Sequence, residues 1–116
     1  MRKHTLFIFF LTAGIFTIVS CSKGSNDDEP VDCNTVPKTW SANVSPIIQT
    51  HCNQQNCHDV ASVNGPGPLT NYSQVFDARA EIKVQIAAGL MPQNATLSAA
   101  QRNAIICWID SGAPNN

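Results

Sequence analysis

Two thiols with a histidine directly behind the second, Cys52-Asn53-Gln54-Gln55-Asn56-Cys57-His58, leave this chain few ways to organise itself. Two cysteines can add across the two vinyl groups of a haem and hold it by thioether bonds. A histidine adjoining the second cysteine then falls beneath the ring, where its imidazole can ligate the iron. The usual attachment spacing is C-x-x-C-H, whereas four residues separate the cysteines here. The vinyl separation is fixed, so the additional residues must bulge outward, and Asn53, Gln54, Gln55 and Asn56 are all polar amides suited to a solvated loop. Two other readings stay open: a disulfide between Cys52 and Cys57 with a bystander histidine, or half of a zinc site. Zinc takes four ligands, and beyond the motif the chain after its leader offers only Cys33, Cys107 and His51.

The start of the chain assigns the compartment. Arg2 and Lys3 precede a nearly uninterrupted apolar run, Leu6 to Val19. That run is shorter than the stretch of about 20 residues a membrane span needs. Residues 1–20 therefore read as a secretory leader. The run closes on Ile18-Val19-Ser20-Cys21, which resembles a bacterial lipoprotein cleavage box, so Cys21 is the expected lipidation site and mature N-terminus. An ordinary signal peptide followed by a spare cysteine is the plainer alternative. Residues 21–37 are polar, with Asp27, Asp28 and Glu29 in a row. They are too poor in apolar surface to order themselves. They read as an acidic tether holding residues 38–116 to a lipid-anchored end.

Outside the cytoplasm free thiols tend to be oxidised. With Cys21 assigned to lipid and Cys52 and Cys57 to haem, Cys33 and Cys107 remain, and the even remainder predicts a disulfide between them. The chain from Pro37 onward makes one small domain. It is near the size at which an apolar core alone is marginal and a staple is common. The formal net charge of −1, with no cluster of Lys and Arg, speaks against a nucleic-acid surface.

Periodicity places helices and no strand. Val44, Ile47, Ile48 and His51 share one face of a helix from about Asn43 or Ser45 to Cys52, with Pro46 in its first turn. The run Asn64-Gly65-Pro66-Gly67-Pro68-Leu69 is a loop of turn-formers. A proline here, Pro68, has a carbonyl free to accept the Nδ1–H of His58 and so to orient a ligating imidazole. Asn71 to Phe76 opens a helical region that breaks near Asp77, and Ala78 to Ala88 continues it with Ile82, Ile86 and Val84 facing inward. Gly89 ends that helix. Ser98 and Gln101 form an S-x-x-Q capping box for a last helix to about Ser111, with Ile105, Trp108, Ile109 and Gly112 as its buried stripe. Met91 is the one methionine left after the leader is removed, on a loop between Gly89 and Pro92. It is the expected sixth ligand to iron, against the plain reading of a core methionine.

Val44-x-Pro46-Ile47-Ile48, Cys52-x4-Cys57-His58, Gly67-Pro68-Leu69, Leu90-Met91-Pro92, Leu97-Ser98 and Ile106-x-Trp108-Ile109-x-x-Gly112-Ala113 together resemble small bacterial monohaem c-type cytochrome domains of the class I kind. The resemblance covers about residues 40 to 116, with the x4 spacing as its departure. It implies an all-α fold wrapped around one covalently bound haem c, His58 below the ring and Met91 above it. The implied activity is electron transfer without an enzymatic step. The expectation is thus an iron- and metal-binding, lipid-anchored protein of a Gram-negative-type cell envelope, periplasmic or on the outer-membrane surface. Its partners would be envelope redox proteins, with no nucleic acid. The alternatives are a disulfide-stapled, non-haem interaction module, a five-coordinate haem sensor, and a zinc module.

Overall fold

The core is built around Trp108. This side chain is fully buried, its ring centroid 5.3 Å from that of Trp40 and 6.3 Å from that of Tyr72. The structure, a computed structural model, describes residues 30–116. The leader, Cys21, Asp27, Asp28, Glu29 and most of the tether lie outside the described residues.

Four α-helices follow one another: α1 (Ser45–His51), α2 (Tyr72–Asp77), α3 (Arg79–Ala87) and α4 (Ala99–Asp110), with no strand among the described residues. The all-helical expectation holds at that level. None of these helices is long and apolar enough to cross a membrane. The chain reaches α1 through a wider π-helical turn, Trp40–Val44, in which Val44 N–H donates to Thr39 O at 3.1 Å. Helical structure thus begins earlier than Pro46 suggested. Trp40 and Val44, four residues apart at the two ends of this turn, are both buried in the core.

α2 and α3 meet at Ala78, which closes one helix and opens the next. The break expected near Asp77 is there. Asn71 starts α2 by accepting from the Gln74 amide at 3.1 Å. On α3, Ile82 and Ile86 are buried at i and i+4, but Val84 is 62% exposed. A residue two places on from Ile82 falls on the far side of the helix, so Val84 has to face solvent. α4 carries both halves of its capping box. Ala104, Ile105, Cys107 and Trp108 are its buried residues, with Ile109 packed partly against the core. Gly112 is exposed and Ala113 takes the buried place. Gly112 at φ +94° turns the chain back so that Ala113 N–H bonds Trp108 O at 2.9 Å, as glycine commonly does just past a helix end.

The segment after α4 is stitched across the aromatic cluster. Tyr72 Oη donates to Ala113 O at 2.8 Å, Trp108 Nε1 to Pro114 O at 2.9 Å, and Trp40 N–H to Asn116 Oδ1 at 2.8 Å. The first two bonds satisfy the polar ends of rings whose bodies are packed in the core. Cys33 and Cys107 form the expected disulfide, their Cα atoms 5.3 Å apart and their positions 74 residues apart in sequence. It joins the start of the domain to the inner face of α4.

Candidate functional site: a cavity under the thiol pair

α1 ends at the first cysteine. Cys52 N–H bonds Ile48 O at 2.9 Å and closes the helix, and the four amide residues then form a tight polar loop. Gln54 N–H donates to Cys52 O and Cys57 N–H to Gln54 O, both at 2.9 Å. Asn56 takes a left-handed backbone conformation, which asparagine tolerates better than most side chains. His58 N–H then returns to Cys52 O at 3.1 Å. The insertion therefore folds out and comes back. Gln49 secures it from α1, its Oε1 accepting from Asn53 Nδ2 at 2.6 Å and its backbone O from Gln54 Nε2 at 2.9 Å.

His58 is buried, 9% exposed, and held on two sides. Its backbone O accepts from Leu69 N–H at 2.9 Å, and its Nδ1 lies 2.9 Å from Gly67 O. A carbonyl can only accept, so Nδ1 carries the proton and the lone pair of the neutral ring sits on Nε2. The expected carbonyl partner was that of Pro68; the partner is Gly67, one residue earlier. The reason lies in the turn. Gly67 at φ +86° presents its carbonyl to the ring, while Pro68 leads directly into the Leu69 bond to His58.

Cys52, Cys57, His58 and Met91 all line one cavity of about 730 Å³. This lies within the range of roughly 300–1,000 Å³ typical of small-molecule and cofactor sites. Ile82 and Ile86 give it an apolar wall from α3. Met91 reaches it from the loop after α3, where Leu90 N–H and Met91 N–H both point at Gln85 O, at 2.9 and 3.4 Å. Gly89 makes that turn possible by taking a positive φ, which costs it no Cβ clash. Both thiols are free. The Cys52 thiol is pushed up to about 11, by burial first and by neighbouring Cys57 second. The disulfide between Cys52 and Cys57 posed as an alternative is thus not what the chain adopts.

Sequence reading missed two parts of the site. Glu81 and Gln85 also line the cavity from α3. Their spacing on the helix, one turn apart, was the available signal. Gln101, read only as a cap, also places its Nε2 3.2 Å from His51 Nε2, and so ties α4 to the end of α1.

The expectation of an iron- and metal-binding chain is corrected here. Among the described residues no group of three or more His, Cys, Asp or Glu could hold a metal ion. The half-site for zinc finds no other half, since Cys33 and Cys107 are consumed by their disulfide. Of the covalent chemistry expected from the cysteines, the described structure contains the disulfide.

The chain matches no known protein-family model, no curated protein and no solved structure.

Proposed function

We propose that the cavity takes one c-type haem, a ring that brings its own four nitrogen ligands and asks the protein for only two axial groups. A side-chain metal cluster is then not required. The observation that carries this reading is the convergence of two free thiols, a tautomer-fixed histidine and the loop methionine on one cavity. The donor set fits the group: thiols for two vinyl carbons, an imidazole nitrogen and a thioether sulfur for two axial positions. A haem held there would supply a one-electron couple in which no bond is made or broken.

The residues of the chain have separable tasks in this reading. Cys52 and Cys57 hold the ring edge at the end of α1. His58 offers Nε2, aimed by the Nδ1–H bond to Gly67 O, and that bond also makes the imidazole more basic. Met91 would supply a soft thioether sulfur to the same group, which would raise its reduction potential. Ile82 and Ile86 exclude water from one wall. Electron transfer to and from envelope redox proteins is the activity that follows, with Cys21 lipidation as the membrane anchor.

A second reading is a disulfide-stapled interaction module without haem, favoured by the Cys33–Cys107 bond. One experiment separates the two. Protein made in a host able to attach haem should be red and keep its haem through denaturing electrophoresis. A colourless protein with both Cys52 and Cys57 alkylatable would overturn the haem reading and leave the second.

A further inference from the structure

The cavity is almost without charge. Its polar lining is dominated by amides, among them Gln54, Gln55, Asn64, Gln85 and Asn94, and no Lys, Arg or Asp among the described residues lines it. Glu81 is the exception. It lies in the first turn of α3, with Ile82 and Gln85 of the same helix also on the cavity wall. The point where a Gly65 Cβ would lie is 3.7 Å from His58 Cε1 and 3.8 Å from Glu81 Oε1. The carboxylate and the imidazole thus flank the same glycine. The cations of α3 are engaged elsewhere. Lys83 is paired with Asp110 of α4, and the Arg79 guanidinium lies over the Phe76 ring, 3.9 Å from its centroid.

We propose that Glu81 is the residue that lowers the reduction potential of the cavity's occupant, a proposal that rests on the haem reading above. Oxidation leaves one more positive charge in the ring, and a fixed negative charge on the same wall stabilises that state over the reduced one. Glu81 thereby opposes the thioether of Met91, which favours the reduced state. The electron exchanged comes from, or goes to, a redox partner protein, and Glu81 neither gains nor loses a bond. Because Glu81 is exposed, its influence passes partly through water and is screened by salt. Among the described residues the amide rim brings no compensating cation, so the effect of the Glu81 carboxylate is not cancelled there.

The test uses the full haem-loaded protein and its Glu81→Gln, Glu81→Lys and Asp77→Asn variants, Asp77 being an exposed carboxylate that does not line the cavity. Potentials are measured by spectroelectrochemistry at low and high ionic strength, with absorption spectra to monitor ligation. Glu81→Gln should raise the potential and Glu81→Lys should raise it further, both shifts shrinking in high salt, with unchanged spectra. Asp77→Asn should move it much less. Equal potentials in all four proteins at low salt would overturn the proposal, as would an Asp77→Asn shift as large as that of Glu81→Gln. Failure of the wild type to retain haem in a denaturing gel would instead overturn the haem reading, and this proposal with it.

Discussion

Gln101 Nε2 lies 3.2 Å from His51 Nε2 while Gln101 Oε1 accepts from Ser98 N–H at 2.9 Å, so one side chain both caps α4 and holds it to the end of α1. The amide nitrogen donates, which makes His51 Nε2 the acceptor. His51 adjoins Cys52, and Ser98 closes the loop that carries Met91. Gln101→Ala should therefore cost about 1–2 kcal/mol, the sum of a weakened cap and a lost cross-helix bond. Urea denaturation checks this. A change well below that range would mean that the cap alone operates.

Gly67 supplies both a left-handed turn and the carbonyl that receives His58 Nδ1–H. Gly67→Ala strains that turn by about 1 kcal/mol or more and displaces the acceptor. The expected result is lower stability and a shifted His58 ring resonance in proton NMR. Substituting Gly112, also at positive φ, should cost comparable stability and leave the His58 resonance in place.

The disulfide joins positions 74 residues apart. Restricting an unfolded loop of that length stabilises by about 4 kcal/mol in the chain-entropy account. Cys33→Ser, which spares buried Cys107 from a polar replacement, should lower the denaturation midpoint markedly. Reductant should lower the wild type to a similar point and leave the variant unmoved. Mass spectrometry of an unreduced digest should find the two peptides joined.

Cys52 gives a pH signature in protein prepared without haem. Its thiol sits near 11 in the folded state, above the ordinary value of 9.0. The folded protein then holds a proton that the unfolded chain releases above pH 9. Stability from this group is fully present below pH 9 and is lost as pH rises through about 11. The fall amounts to about 1–3 kcal/mol. Denaturation at a series of pH values measures it. Cys52→Ala should remove the fall, and so should thioether attachment, because a thioether does not titrate.

Met91→Ala should leave haem covalently held through Cys52 and Cys57, because attachment and axial ligation are separate chemistries. It should open one axial position, let carbon monoxide bind the reduced protein readily, and lower the potential as the soft sulfur is lost. Ready carbon monoxide binding by the wild type would make Met91 a packing residue and favour the five-coordinate alternative.

Much of this protein was legible along the chain because the relevant rules are local. Helix periods, the Ser98–Gln101 box, the Gly89 stop and the adjacency of Cys57 and His58 all depend on residues within a turn of one another. The Cys33–Cys107 pairing was reachable by elimination alone. Tertiary structure decided the rest. Val84 lost its inward place to helix geometry once Ile82 and Ile86 faced the core, and Gly112 yielded its buried place to Ala113 when the chain turned back under Trp108. The acceptor for His58 moved from Pro68 to Gly67 because a carbonyl's direction follows from the φ of a particular turn, which composition does not specify. Glu81 came to flank the same glycine as His58, and Gln101 reached His51 across a wide gap in the sequence. Such contacts depend on how helices pack, and packing is a property of the whole core rather than of any stretch within it.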